Sequence, residues 1–162
     1  MQNNYETNIR LERRFAKIIK QILGLQFIGQ DPVMDKEQGT DFLTFSIQPI
    51  KVGVRLRTKG YYDKYKNQFT IRWSLFSGGK TEIHKIREGL VDYILYGFVD
   101  EEEKNIIQYF IGDLNIFRDW EQGMIPDVYQ NKDARPTKLA VYNIDTFPKE
   151  FIIKFYNKLD KQ

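Results

Sequence analysis

A chain of 162 residues and 19.4 kDa has room for one domain, spanning 1–162, and a second would be cramped. With 41% hydrophobic and 29% charged residues the chain is not disordered, and with no cysteine it excludes a disulfide scaffold, a thiolate zinc site and a cysteine nucleophile. One histidine excludes two-histidine metal sites, and no apolar run approaches the roughly 20 residues of a membrane span, so a soluble, cytoplasmic protein with no membrane partner is expected.

In chain order, Ile9, Leu11, Phe15, Ile18, Ile19, Ile22 and Leu23 recur at three- and four-residue spacing and predict a helix over 5–23, stopped by Gly24. Asp31-Pro32 opens a loop that runs to Gly39-Thr40. Strands are expected at 41–47, 51–58 and 69–76, joined by a Gln48-Pro49 turn and a polar connection from Lys59 to Gln68. In the second of these, Val52, Val54 and Leu56 point one way and Lys51, Arg55 and Arg57 the other. Short connections make the three strands a consecutive antiparallel meander with the first helix on one face.

Ser77-Gly78-Gly79 marks a loop, and Thr81 caps a helix over 82–88 that ends at Gly89. Strands at 92–98 and 106–112 flank the acidic turn Asp100 to Glu103, whose glutamates are expected to stay in water. A helix at 114–122, a loop from Gly123 to Lys138, a strand at 139–144 and a helix at 148–158 complete the chain. The order α-β-β-β-α-β-β-α-β-α predicts an α/β fold: a mixed, largely antiparallel sheet flanked by helices.

The net charge of +3 is unevenly spread: residues 1–99 hold 16 Lys+Arg against 10 Asp+Glu, and residues 100–162 hold 9 against 12. Within 51–87 ten bases face two acids, Asp63 and Glu82. Such a concentration attracts phosphate backbones or other polyanions, and its structural alternative is a solvated face partnered by the acidic second half. The candidate nucleic-acid ligands are Arg55, Arg57, Lys59, Lys64, Arg72, Lys80 and Lys85. Gly60 to Asn67 interleaves three tyrosines with lysines, a mixture suited to backbone contact and base stacking, and equally to a protein interface.

Ser77-Gly78-Gly79-Lys80-Thr81 lacks the spacing of a nucleoside-triphosphate loop, although its amides and Lys80 suit a phosphate. His84 has no second histidine beside it and reads as a surface or capping residue.

Glu12 on the first helix, Thr40-Asp41 opening a strand and Arg55-Leu56-Arg57 late on the next resemble the active-site layout of the PD-(D/E)XK nuclease superfamily. The wider chain, about 10–155, resembles small phage-associated proteins of that fold. The resemblance is carried by Thr40-Asp41, Val54 to Arg57, Phe69 to Arg72, Thr81 to Ile83 with Lys85-Ile86, Tyr96 to Phe98, and Gly112 to Arg118. It implies a restriction-endonuclease-like fold and catalytic positions at Glu12, Asp41 and Arg57. One departure matters. Where the superfamily places a Glu-x-Lys, this chain has Arg55-x-Arg57, and a guanidinium cannot ligate Mg²⁺.

The resemblance therefore implies a nucleic-acid-binding protein, DNA or RNA, with weak or no metal-dependent cleavage, and no metal or cofactor is assigned. If the chain is active, Mg²⁺ is the implied metal, held by Glu12, Asp41 and Asp113. Two alternatives stand beside this reading: a protein-binding module, such as a phage factor that diverts a host protein complex, and an active Mg²⁺-dependent DNA endonuclease. For the residues themselves, the structural alternatives are a salt bridge between Asp41 and Arg55 or Arg57, and a solvated helix face for Glu12.

Overall fold

The computed structural model describes residues 4–23, 42–43, 50–75, 77–130 and 137–158. Its elements begin with α1 (Asn4–Leu23), β1 (Phe42–Leu43), β2 (Lys51–Arg57), α2 (Lys59–Tyr65), β3 (Gln68–Ser74) and α3 (Glu82–Arg87). They continue with β4 (Tyr93–Val99), β5 (Ile106–Asp113), α4 (Leu114–Glu121), β6 (Asp127–Gln130), β7 (Lys138–Asn143) and β8 (Ile152–Asn157). A 3₁₀ turn at Ile144–Thr146 follows β7.

Leu11, Phe15 and Ile19 lie four residues apart on α1, so they form one stripe, and all three are buried. They pack on Val54 and Leu56 of β2, Leu95 and Val99 of β4, and Ile106 and Tyr109 of β5. Burying side chains of this size stabilises the fold by roughly 1.5–3 kcal/mol each. A second tie comes from the acidic turn. Arg10 donates to both Glu103 carboxylate oxygens at 2.6 and 2.7 Å, and Arg14 adds a contact at 3.2 Å. Glu103 has a positive φ of 53°, and through these bonds it anchors α1 instead of simply staying in water.

The strands under α1 form a five-stranded sheet in the order β1-β2-β4-β5-β8. β2 and β4 are parallel and the other pairs antiparallel, so the sheet is mixed and open. Its other face is covered by a second, three-stranded antiparallel sheet, β3-β7-β6, together with α2, α3 and α4. Phe69 of β3 sits at the centre of that interface. The rings of Tyr96, Phe110, Phe117, Phe147 and Phe151 surround it at centroid distances of 5.2 to 6.1 Å. At Gly112 of β5 a Cβ would lie 2.5 Å from the Phe151 ring, so the sheet admits that ring only because residue 112 has no side chain.

The fold class is thus mixed α/β, with a mixed sheet flanked by helices, but the expected meander is not formed. β1 and β2 pair antiparallel, Phe42 opposite Val52, whereas β3 belongs to the other sheet. The reason is that β2 is buried on both faces: its polar side meets a second layer rather than solvent. The remainder of the 41–47 strand and the Gln48-Pro49 turn lie outside the described residues.

Three further expectations are corrected. The polar connection after β2 contains α2, held by Tyr62, which is buried against Phe98 at 5.5 Å. The loop from Gly123 to Lys138 contains β6, which pairs with β7. The helix expected at 148–158 is instead a turn, with Phe151 N–H donating to Pro148 O at 3.0 Å, followed by β8 on β5.

Candidate functional site

Arg55 leaves β2 on the face opposite Val54 and Leu56, and there it meets the second sheet. It is 6% exposed. Its Nη1 donates to the Thr70 carbonyl of β3 at 2.7 Å, and its Nη2 lies 2.8 Å from Glu82 Oε2 in the first turn of α3. The same Glu82 oxygen accepts the Arg72 backbone N–H at 2.9 Å. Beneath them, Thr70 Oγ1 and Tyr96 Oη are hydrogen-bonded at 3.1 Å. One carboxylate thus fastens β2, β3 and α3 together.

Glu82 stays ionised there. Burial favours its neutral form, but the charges of Arg55 and Arg72, the Arg72 N–H and the charge of Arg57 outweigh it and hold the carboxyl below its ordinary range. Sequence reading gave this residue no role. Its signal was present: it is one of only two acids among ten bases in 51–87, and it follows a capping Thr.

Arg57, two residues along β2, is half-buried and is used differently. Its guanidinium lies 5.3 Å from the centroid of the Tyr61 ring on α2 and 5.9 Å from that of Tyr96. Among the described residues it makes no ion pair. On the same helix Tyr61 and Tyr65, four apart, have centroids 6.0 Å from each other, and Lys64 Nζ lies 5.2 Å over the Tyr65 ring. Of the three tyrosines in this segment, Tyr62 belongs to the core, while Tyr61 is over a third exposed. The result is an outward face of alternating cations and rings.

The remaining candidates are more scattered. Lys59, at the start of α2, contacts Glu101 at 3.3 Å. Arg72 is half-buried beside Glu82, Lys80 is exposed and paired with Glu88 at 2.8 Å, and Lys85 is half-buried on α3. Only the Arg55, Arg57 and Arg72 charges converge, on Glu82.

Of the nuclease-like positions, Glu12 and Arg57 are not brought together. Glu12 is half-buried on α1, the helix that covers the Val54 and Leu56 face of β2, whereas Arg57 projects from the other face. Asp41 lies outside the described residues. Asp113 caps α4, accepting the Asn115 backbone N–H at 2.8 Å. Among the described residues no group of three or more His, Asp or Glu side chains could hold a metal ion. His84 is exposed, with Nδ1 2.8 Å from Thr81 Oγ1 in the cap of α3.

A fully buried carboxylate, Glu121, carries no signal in the sequence. It accepts from Arg87 Nε and Nη2 at 3.1 and 2.6 Å and from the Tyr142 hydroxyl at 3.1 Å. Arg87 in turn lies 4.8 Å from the Trp73 ring centroid. These contacts tie α3 and α4 to the second sheet.

No protein-family model, no curated protein and no solved structure matches this chain. Among the described residues no helix is long and apolar enough to cross a membrane.

Proposed function

We propose that this chain binds the sugar-phosphate backbone of nucleic acid through the face formed by Arg57, Lys59, Tyr61, Lys64 and Tyr65, and does not cleave it. The observation that carries this reading is Arg57. Its guanidinium is stacked on a partly exposed tyrosine, with no ion pair among the described residues, within the most basic stretch of the chain. A guanidinium oriented by a ring has lost part of its rotamer freedom, so less is lost when it meets a phosphate. The neighbouring rings suit base or sugar contact beside it.

Arg55 supports the site from behind by fixing β2 against β3. The first helix and the antiparallel β1–β2 pair support the nuclease-like part of the reading. The separation of Glu12 from Arg57 by the sheet supports the absence of cleavage.

The test is fluorescence anisotropy with mixed-sequence oligonucleotides over a range of salt. Binding should weaken linearly in log affinity against log salt, and Arg57→Ala combined with Lys64→Ala should flatten the slope by about 2, one per phosphate contact. Binding that ignores salt, or that the double variant retains in full, would overturn the proposal. Nicking of plasmid DNA that requires Mg²⁺ and is lost in Asp41→Ala would overturn the absence of cleavage.

A further inference from the structure

The outer strand of the three-stranded sheet, β6, is unusually bare. All four of its residues are exposed, and among the described residues it pairs on one side only, with β7. Apolar side chains cluster on it and just before it: Met124 is 40% exposed, Ile125 98%, Val128 44% and Tyr129 58%. An unpaired edge offers a row of free backbone donors and acceptors, and native proteins usually blunt such edges with lysine, proline or a bulge.

The other sheet shows that protection. Its edge strand β8 also exposes Ile153 and Phe155, but Lys154 stands between them and the β5–β8 register shifts at Gly112. β6 has neither device. Its register with β7 is regular, it carries no lysine, and its single charge is Asp127. Pro126 stands just before the strand, where its missing N–H does not interrupt the pairing with β7.

We propose that β6 is an assembly edge, and that its occupant is β6 of a second copy of this chain. The two would pair antiparallel about a two-fold axis normal to the sheet. Such an axis keeps every residue on its own face, so the pairing must centre on one residue. Centred on Val128, it sets valine against valine and Asp127 against Tyr129. Centred on Tyr129, it sets tyrosine against tyrosine and Val128 against Gln130. Centring on Asp127 would set that aspartate against its own copy, a destabilising like-charge pairing, so the pairing centres on Val128 or Tyr129, where Asp127 does not meet itself. The strand is thus compatible in charge with itself, and the three-stranded sheets of two copies would run on as one. A contact this short belongs to the small, transient class of interfaces, so its signature is dependence on concentration.

The absence of cysteine makes the test clean. Val128→Cys or Tyr129→Cys would each introduce one thiol per chain. Across a two-fold axis the two Cα atoms of the central residue lie about 4.5–5.5 Å apart, within disulfide reach. The full chain should sediment as a monomer–dimer equilibrium, and one of the two cysteine variants should give a covalent dimer on mild oxidation. Ile153→Cys, on the guarded edge, should not. Val128→Lys combined with Tyr129→Lys should sediment as a monomer with an unchanged circular-dichroism spectrum. A wild-type chain that is monomeric at every concentration would overturn the proposal. So would a dimer that survives the double lysine variant, or one that neither cysteine variant cross-links.

Discussion

Arg55 and Glu82 join the two sheets of this protein, their closest atoms 2.8 Å apart, while the same guanidinium donates to the Thr70 carbonyl. The pair lies where the polar side of β2 meets the second layer. Arg55 therefore belongs to the framework, whereas Arg57, on the same side of the same strand, is half-buried over Tyr61.

Arg55→Ala should thus be costly for stability. It leaves Glu82 without its main partner and the Thr70 carbonyl without its donor. A loss of about 3 kcal/mol is expected, the low end for splitting a buried pair, because Glu82 keeps partial access to water. Urea unfolding measures this. Replacing both partners with apolar residues, Arg55→Met with Glu82→Leu, should recover part of the loss. A single variant as stable as the parent would show that the pair contributes nothing.

The two arginines should separate cleanly. Arg57→Ala should weaken oligonucleotide binding and lower its salt slope by about 1, with little change in the unfolding midpoint. If it lowers the midpoint as much as Arg55→Ala does, then Arg57 is structural as well.

Acid stability should depend on Glu82. Its folded pKa lies below the ordinary 4.5, so on acidification the unfolded chain takes up this proton first. The stabilisation is complete above the ordinary value and is lost as pH falls through the folded one. Glu82→Gln should flatten that acid limb. An acid limb unchanged in this variant would assign acid unfolding to other carboxylates, Glu103 among them, which its bonds to Arg10 also hold below the ordinary range.

At the alkaline end the corresponding group is Tyr142. Burial, and then the Glu121 charge and hydrogen bond, raise its pKa well above the ordinary 10.0. The unfolded chain therefore ionises this phenol first, and its contribution is lost as pH rises above that ordinary value. In a near-ultraviolet titration one tyrosine should ionise later than the rest, and Tyr142→Phe should remove that late step. Glu121→Ala should cost about 3 kcal/mol, since it leaves Arg87 and the Tyr142 hydroxyl without their acceptor.

Gly112→Ala is expected to destabilise by about 1–3 kcal/mol through overpacking, since the buried Phe151 ring cannot retreat from the new methyl group. Pairing it with Phe151→Leu should relieve part of that cost.

Legibility in the sequence followed locality. The stripe of Leu11, Phe15 and Ile19, the alternation of β2 and the apolar runs of β4 and β5 mark their own elements, which lie where the residues place them. The 148–158 segment was ambiguous because Phe151, Ile152, Phe155 and Tyr156 fit a four-residue repeat as well as a strand. Hydrogen bonds to β5, distant in sequence, decide it. In the same way, nothing near Arg55 tells whether the polar side of β2 meets water or a second sheet. The site was legible as a concentration of charge. Its division into a buried Arg55 and a half-buried Arg57 is set by β3 and Tyr61, which belong to the second sheet and to α2 and are not local to β2.

The ring cluster around Phe69 has a kinetic consequence. Of its five ring neighbours, four come from β5 or later in the chain, and Phe147 and Phe151 lie beyond β7. A nascent chain that has completed β3 holds Phe69 without any of these five rings, and β2 waits for its parallel neighbour β4 across an intervening excursion. Productive collapse must therefore wait for the β7–β8 region to emerge from the ribosome, which makes folding late, slow and governed by contacts distant in sequence. Until then an exposed phenylalanine-rich segment gives chaperones a binding target, and expression at lower temperature should raise the soluble yield.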